Sequence, residues 1–336
     1  MDNQTNKFLT MTASPHIKSP IKTKNIMADV IIALAIPLVW AIYVFGFRAL
    51  TITVICSASC AFFEYAYRKL MKKSNTVSDL SAVVTGMLLA FSLPVSVPLW
   101  LPVIGAFFAI VIVKQLYGGI GKNIVNPALA ARVFLFIAYP TELTTFTAPG
   151  AKLNPFAINV AKQASEVIAG ATPLVDLKNG ITPDADITST LIGNIPGTIG
   201  EVSATLLILT GVYLIIRGVI TWHIPVTYIA TVAALTFLFP AGEVAGLDSM
   251  LLHLFSGGLM LGAFFMATDY VTSPATKTGR IIYGIGCGLI TVFIRYFGGY
   301  PEGVSFAILI MNLFVWYLDK FTKPVNFGGV KKNGAK

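Results

Sequence analysis

The stretch Glu166-Val-Ile-Ala-Gly-Ala-Thr172-Pro-Leu174 sets a threonine hydroxyl beside almost unshielded backbone. Gly170 and Ala171 carry little or no side chain, so a bulky group can reach Thr172, and Pro173 fixes φ directly after it. A hydroxyl in that setting suits a point of covalent attachment; the competing reading is a Gly-Ala turn with an ordinary surface threonine. Other reactive side chains are sparse. Cys56, Cys60 and Cys287 all fall in apolar runs, form no CxxC pair, and are too few for the four ligands of a cluster or structural zinc. They read as buried small residues. His16, His223 and His253 are isolated, so no metal site is expected.

Two further strings carry polar groups in useful order. In Gly118-Gly-Ile-Gly-Lys-Asn-Ile-Val-Asn126-Pro127 the glycines and lysine imitate a phosphate loop, but the Gly-Lys-Ser/Thr ending is missing and the string follows an apolar helix rather than a strand, which argues against nucleotide binding. Asn126 and Pro127 instead start a helix whose N–H groups face an anionic or carbonyl-bearing ligand, or are simply capped. Thr268-Asp269-Tyr-Val-Thr272-Ser273-Pro274-Ala-Thr276-Lys277 gathers hydroxyls, a carboxylate and a proline after an apolar run, as a ligand-binding turn or a membrane-face turn would.

The elements that must hold these groups are apolar. With 55% hydrophobic and only 12% charged residues and a mean hydropathy of +0.77, the chain is expected to be an all-α integral membrane protein, since soluble domains carry about a quarter charged residues. Runs near Met27–Phe45, Leu50–Ala66, Leu80–Leu93, Pro98–Val113 and Pro127–Tyr139 precede the long polar segment, and runs near Val202–Ile216, Ile220–Phe239, Met250–Met266, Ile281–Phe297 and Val304–Leu318 follow it. The expected layout is a leader at 1–26, a five-helix repeat at 27–140, an extracytoplasmic loop at 141–200, a second repeat at 201–320 and a basic tail at 321–336.

Five spans on each side of that loop require the halves to insert with opposite orientation, and the short third and fifth runs suggest broken helices around a midplane site. Two traces of an inverted repeat are visible: Tyr117-Gly-Gly119 answers Phe297-Gly-Gly299, and Thr85-Gly86 answers Gly257-Gly258. Arg132 falls inside the fifth run and needs a partner there; Asp29, Glu64 and Asp269 are the carboxylates nearest span ends, and Glu64 lies one turn from Arg68 as for a surface pair.

With the N-terminus cytoplasmic, eighteen of the 24 basic residues fall on the cytoplasmic side, Lys114 and Lys122 among them. Arg48, Lys152, Lys162, Lys178 and Arg295 fall outside. Both termini are then cytoplasmic and Thr172 lies outside. The net charge of +9 follows from this asymmetry and is no argument for nucleic acid.

The Gly170-Ala171-Thr172 string resembles the flavinylation site of the RnfD/NqrB family, with Glu166 where the family has Asp and Ala169 where it has Ser or Thr. The leader Ser14-Pro-His-Ile-Lys18 with Ile26-Met-Ala-Asp-Val30, the Asn126-Pro127-Ala entry and the turn Asp269 to Pro274 resemble the same family, and RnfD more than the longer NqrB. The resemblance implies FMN joined through its phosphate to Thr172, with Gly170, Ala171 and Pro173 around it. It also implies a second, noncovalent flavin or riboflavin, for which Asn126, Asp269, Thr272 and Ser273 are candidates.

By the same resemblance the chain relays electrons in a complex that passes them between ferredoxin and NAD and moves Na+ or H+, with a second flavin-bearing subunit and iron–sulfur subunits as partners in a lipid membrane. An NqrB-like quinone-reductase subunit, and a secondary transporter or channel, are the competing readings. Charge asymmetry makes the topology testable. Asn179→Cys is expected to react with an impermeant maleimide in intact cells, and reaction only after permeabilisation would overturn the assignment.

Overall fold

The computed structural model describes residues 22–150, 153–158, 172–179, 187–201, 203–240 and 245–324. Most of the leader and tail, and Glu166, Ala169, Gly170 and Ala171, lie outside the described residues. The helices are α1 (Thr23–Phe45), α2 (Phe47–Leu70), α3 (Ser81–Phe91), α4 (Leu101–Phe107, continued by a π-helix Phe108–Gln115) and α5 (Pro127–Ala138). Three short ones follow, α6 (Pro140–Thr144), α7 (Pro173–Lys178) and α8 (Ile187–Ile192). Then come α9 (Ala204–Ile216), α10 (His223–Leu238), α11 (Gly246–Phe255), α12 (Leu259–Leu261, continued by a π-helix Gly262–Met266), α13 (Lys277–Phe297) and α14 (Val304–Thr322).

Each of the ten apolar runs is helical. By length and composition α1, α2, α13 and α14 can each cross a bilayer, and α11 with α12 and its π-helix makes a fifth span bent by 62°. Large apolar side chains such as Val39, Phe62, Phe293 and Leu313 are exposed along the long helices, the surface of a protein solvated by lipid. This is an all-α integral membrane protein.

Helix starts follow local chemistry. The Asn126 side chain accepts from Ala128 N at 3.0 Å and Leu129 N at 3.4 Å, with Pro127 at the first helical position. Ser203 and Thr276 cap α9 and α13 in the same way. Close packing relies on Gly284 and Gly288, one turn apart on α13: a side chain at either would collide with Thr227 or Thr231 of α10.

The sequence pairs Gly118-Gly119 and Gly298-Gly299 do not share a backbone: φ is +117° and +95° in the first pair, whereas Gly298 is at −74°. Likewise Gly86 packs inside α3 against Ser57, while Gly257, at φ +73°, and Gly258 form the break between α11 and α12.

Breaks leave backbone groups without helical partners, and three side chains supply them. Arg48, expected in an outer loop, is fully buried in the first turn of α2, where its guanidinium donates to Val95 O, Val97 O, Asn154 O and Ala157 O at 2.7–3.0 Å. Those carbonyls belong to the irregular chain after α3 and to the segment 153–158. Arg295, also expected outside, is buried in the last turn of α13 and donates to His253 O at 2.5 Å and Ser256 O at 3.4 Å, the carbonyl end of α11. Glu302 accepts from Gly258 N at 2.8 Å, the N–H end of α12. A cation thus meets a helix C-terminus and an anion a helix N-terminus.

Glu302 is also the partner of Arg132, an ion pair in which the two side chains are 12% and 18% exposed. None of the three carboxylates nearest the span ends takes that role. Asp29 pairs with Arg217, Asp269 accepts from Thr272, and Glu64 pairs with Lys114 rather than Arg68. Removing one side of a buried pair strands the other charge, at about 3–5 kcal/mol. Arg132→Ala is therefore expected to reduce the yield of folded protein recovered from membranes, beyond any slowing of turnover. A yield equal to that of the parent, with full activity, would show that the pair bears no structural weight.

Candidate functional site

Thr172 is the N-cap residue of α7, extended at φ −72° and ψ 150°, with Pro173 at the first helical position. Its carbonyl accepts from Val175 N at 2.8 Å, but its hydroxyl makes no capping hydrogen bond, unlike the caps of α5, α9 and α13. The residue is 8% exposed, so the picture of an ordinary surface threonine does not hold. Thr172 lines a cavity of about 340 Å³.

Across that cavity stand Arg132, Phe136, Tyr300, Glu302, Ser305 and Phe306. The Tyr300 and Phe306 rings stack at 5.6 Å with 5° between planes, and Phe136 meets Tyr300 edge-on at 4.9 Å. Ser305 is buried and its Oγ has no hydrogen-bond partner. Close to this wall lies Glu201, in the turn before α9. Burial first, and then the Glu302 carboxylate, push its carboxyl up to about 7, against the opposing charge of Arg132 and a hydrogen bond from Thr198 N. The cavity is therefore mainly apolar and aromatic, with a few polar groups, among them the unmatched Ser305 hydroxyl and the Thr172 hydroxyl at its edge, a lining that suits a flat, conjugated ring.

A second cavity of about 380 Å³ is bounded by α1, α3, the π-helix of α4, the start of α5, and the chain around the Gly262–Met266 π-helix. Asn126 and Asp269 both line it, so residues 143 positions apart in sequence share one site. Asn126 Nδ2 donates to Met266 O at 3.2 Å, which ties the start of α5 to the chain three residues before Asp269. The N–H groups of Ala128 and Leu129 are already taken by Asn126, so α5 offers a ligand less of its N-terminus than the Asn-Pro start implied.

Thr272 and Ser273 support this site without lining it. Thr272 donates to Asp269 Oδ2 at 3.1 Å and Ser273 N donates to Asp269 O at 3.1 Å. Desolvation raises the Asp269 carboxyl above its ordinary range, with the Thr272 hydrogen bond acting against it. Lys114, expected in a cytoplasmic loop, is buried in the π-helix and lines this cavity. Its ammonium donates to Glu64 Oε2 at 2.7 Å and Ser81 Oγ at 2.8 Å, and Thr76 donates to Glu64 Oε1 at 2.6 Å.

Sequence reasoning passed over Lys114, Tyr300, Glu302 and Ser305. Glu302 carried a usable signal, since it is the lone carboxylate in the short link between two apolar runs.

Residues 10–328 match the model of the NQR2, RnfD, RnfE family. The chain is 46% identical over 332 residues to the D subunit of the Na(+)-translocating ferredoxin:NAD(+) oxidoreductase complex of Acetobacterium woodii, covering 98% of each chain. It is 38% identical over 325 residues to the D subunit of the proton-translocating ferredoxin:NAD(+) oxidoreductase complex of Clostridium ljungdahlii, covering 96% of each. It is also 35% identical over 339 residues to the D subunit of the ion-translocating oxidoreductase complex of Halorhodospira halophila, covering 95% of each. A match over nearly the whole chain, together with similarity of that extent, means that this protein belongs to the NQR2, RnfD, RnfE family.

Proposed function

We propose that this chain is the RnfD-type membrane subunit of an ion-translocating ferredoxin:NAD oxidoreductase complex, and that it carries FMN as a phosphate ester on Thr172. The observation that carries the reading is the Thr172 hydroxyl, buried beside a ring-lined cavity and unused by the helix it caps. Helix caps ordinarily use their side-chain oxygen, and this one leaves it available for esterification. Gly170, Ala171 and Pro173 complete the attachment string.

The flavin, when bound, supplies the electron-carrying chemistry that side chains lack. The chain's own residues hold and shield it. Phe136, Tyr300 and Phe306 give apolar walls that exclude water, Ser305 offers an unmatched hydroxyl, and Glu302 fixes Arg132 at the cavity edge. A second, noncovalent flavin or riboflavin fits the cavity of Asn126 and Asp269, with Thr272 orienting the Asp269 carboxylate and Ser273 N holding the Asp269 main-chain carbonyl.

One relative named for Na+ is 46% identical to this chain and one named for protons is 38% identical, each over nearly the whole length, so the coupling ion belongs to either class. Partner subunits bearing a further flavin and iron–sulfur clusters would connect the chain to ferredoxin and NAD. The chain would lie in the inner cell membrane with both termini cytoplasmic and Thr172 on the outer side.

Thr172→Val tests the covalent carrier. With no hydrogen bond lost at the hydroxyl, the stability cost is expected to stay within about 1 kcal/mol, while the denatured protein loses its in-gel fluorescence under ultraviolet light and ferredoxin-to-NAD electron transfer stops. Mass spectrometry of the parent Thr172 peptide, from cells with their native flavin transferase, should show the added FMN mass. An unmodified peptide would remove the covalent assignment.

A further inference from the structure

Next to the Thr172 cavity lies another, of about 290 Å³, walled by α7 and by the facing ends of α10, α11 and α13. Its charged or ring-nitrogen lining consists of Lys178, His253 and Arg295, and no described Asp or Glu lines it. His253 and Arg295 are 3% and 2% exposed, yet His253 Nε2 and Arg295 Nε have no hydrogen-bond partner.

The sense of these unmatched atoms can be worked out. Arg295 Nη1 faces His253 Nδ1 at 3.5 Å, and a guanidinium only donates, so Nδ1 is the acceptor and Nε2 carries the proton. Both orphaned atoms are therefore donors. Lys178 Nζ donates to Gly298 O at 2.5 Å and retains two further N–H groups. Surplus donors on two cations and an imidazole call for a ligand that only accepts, which is the character of an oxyanion.

The remainder of the wall decides what the oxyanion is attached to. Leu174, Leu177, Phe239, Pro240, Phe297 and Pro301 are apolar, and the Tyr296 hydroxyl is committed to Phe239 O at 2.6 Å. Phe239 and Phe297 are 63% and 77% exposed at the ends of lipid-facing helices, so the cavity opens toward the bilayer. An anionic head with an apolar tail meets both halves of the lining. We propose that this cavity binds the phosphate of a membrane phospholipid, held by His253, Arg295 and Lys178, with an acyl chain along Phe239 and Phe297.

The test uses the whole complex, stripped of lipid in detergent and incubated with phosphatidylglycerol bearing a photoactivatable group on its acyl chain. After irradiation and digestion, label is expected at Phe239 or Phe297. Lys178→Gln and His253→Leu should each raise the half-saturating lipid concentration about fivefold, the factor expected for losing one donor to the headgroup phosphate. Lys178 lies on the half-buried face of a short helix and caps no break, so its variant remains informative if His253→Leu fails to fold. Label placed elsewhere, or an affinity in both variants equal to that of the parent, would overturn the site. Equally strong labelling by a photoactivatable diacylglycerol would reduce it to an apolar groove, and displacement by equimolar inorganic phosphate would make the ligand a free anion.

Discussion

Everything in this fold depends on satisfying the backbone groups that helix breaks set free in an apolar surrounding. A buried amide without a partner costs several kcal/mol where no water can reach it. Arg48 alone answers four carbonyls, Arg295 answers two, Glu302 answers one N–H, and Asn126 answers two. The buried charges are thereby explained first as caps. A chain of charged groups in a membrane protein suggests an ion route, but Arg48 and Arg295 have guanidinium donors committed to main-chain oxygens, which leaves them poorly suited to release or accept a moving ion.

The same breaks create the cavities. Where α11 ends and α12 begins at an angle, the chain cannot fill the space beside it, and the groups that cap the break become the polar part of the wall. Glu302 illustrates the double use: one oxygen accepts from Gly258 N, the carboxylate pairs with Arg132, and the residue lines the cavity at Thr172. Asn126 does the same elsewhere, capping α5 with its oxygen and tying Met266 with its nitrogen while lining the second cavity. Irregular backbone at membrane depth is stable only where it borders such spaces, so structure and site are not separable here.

Ten apolar runs were legible because hydropathy over a long window reports helix length directly, and Asn126-Pro127 was legible because caps act within three residues. The need of Arg132 for a partner was equally legible, since the cost of a lone charge is local. Its partner was not. Glu302 is 170 positions away, and only the packing of α5 against α14 brings them together. Lys114 and Glu64 failed for a related reason: fifty residues apart, each stands near a helix end where sequence places charges in water, yet the π-helix turns Lys114 inward. The matching glycine pairs did not foretell matching backbones, because glycine marks positive φ, close packing and helix breaks alike, and the letter does not say which.

What positions Thr172 is a matter of tertiary support. A six-residue helix has too few internal hydrogen bonds to persist alone. Along α7, Leu174, Leu177 and Lys178 fall at the three- and four-residue spacings of one face, and Thr172 and Val175 turn to the other, so the helix stands as a partition between two cavities. Leu174 and Leu177 cluster with Leu252 of α11, and Lys178 fastens the far end to Gly298 at the close of α13. Because Leu252 lies one residue before His253, whose carbonyl Arg295 holds, the cap of the broken helix also supports the partition. The hydroxyl at its tip is thus placed by the chain of contacts that closes the break, and disturbing that break would move Thr172 without touching any residue beside it in sequence.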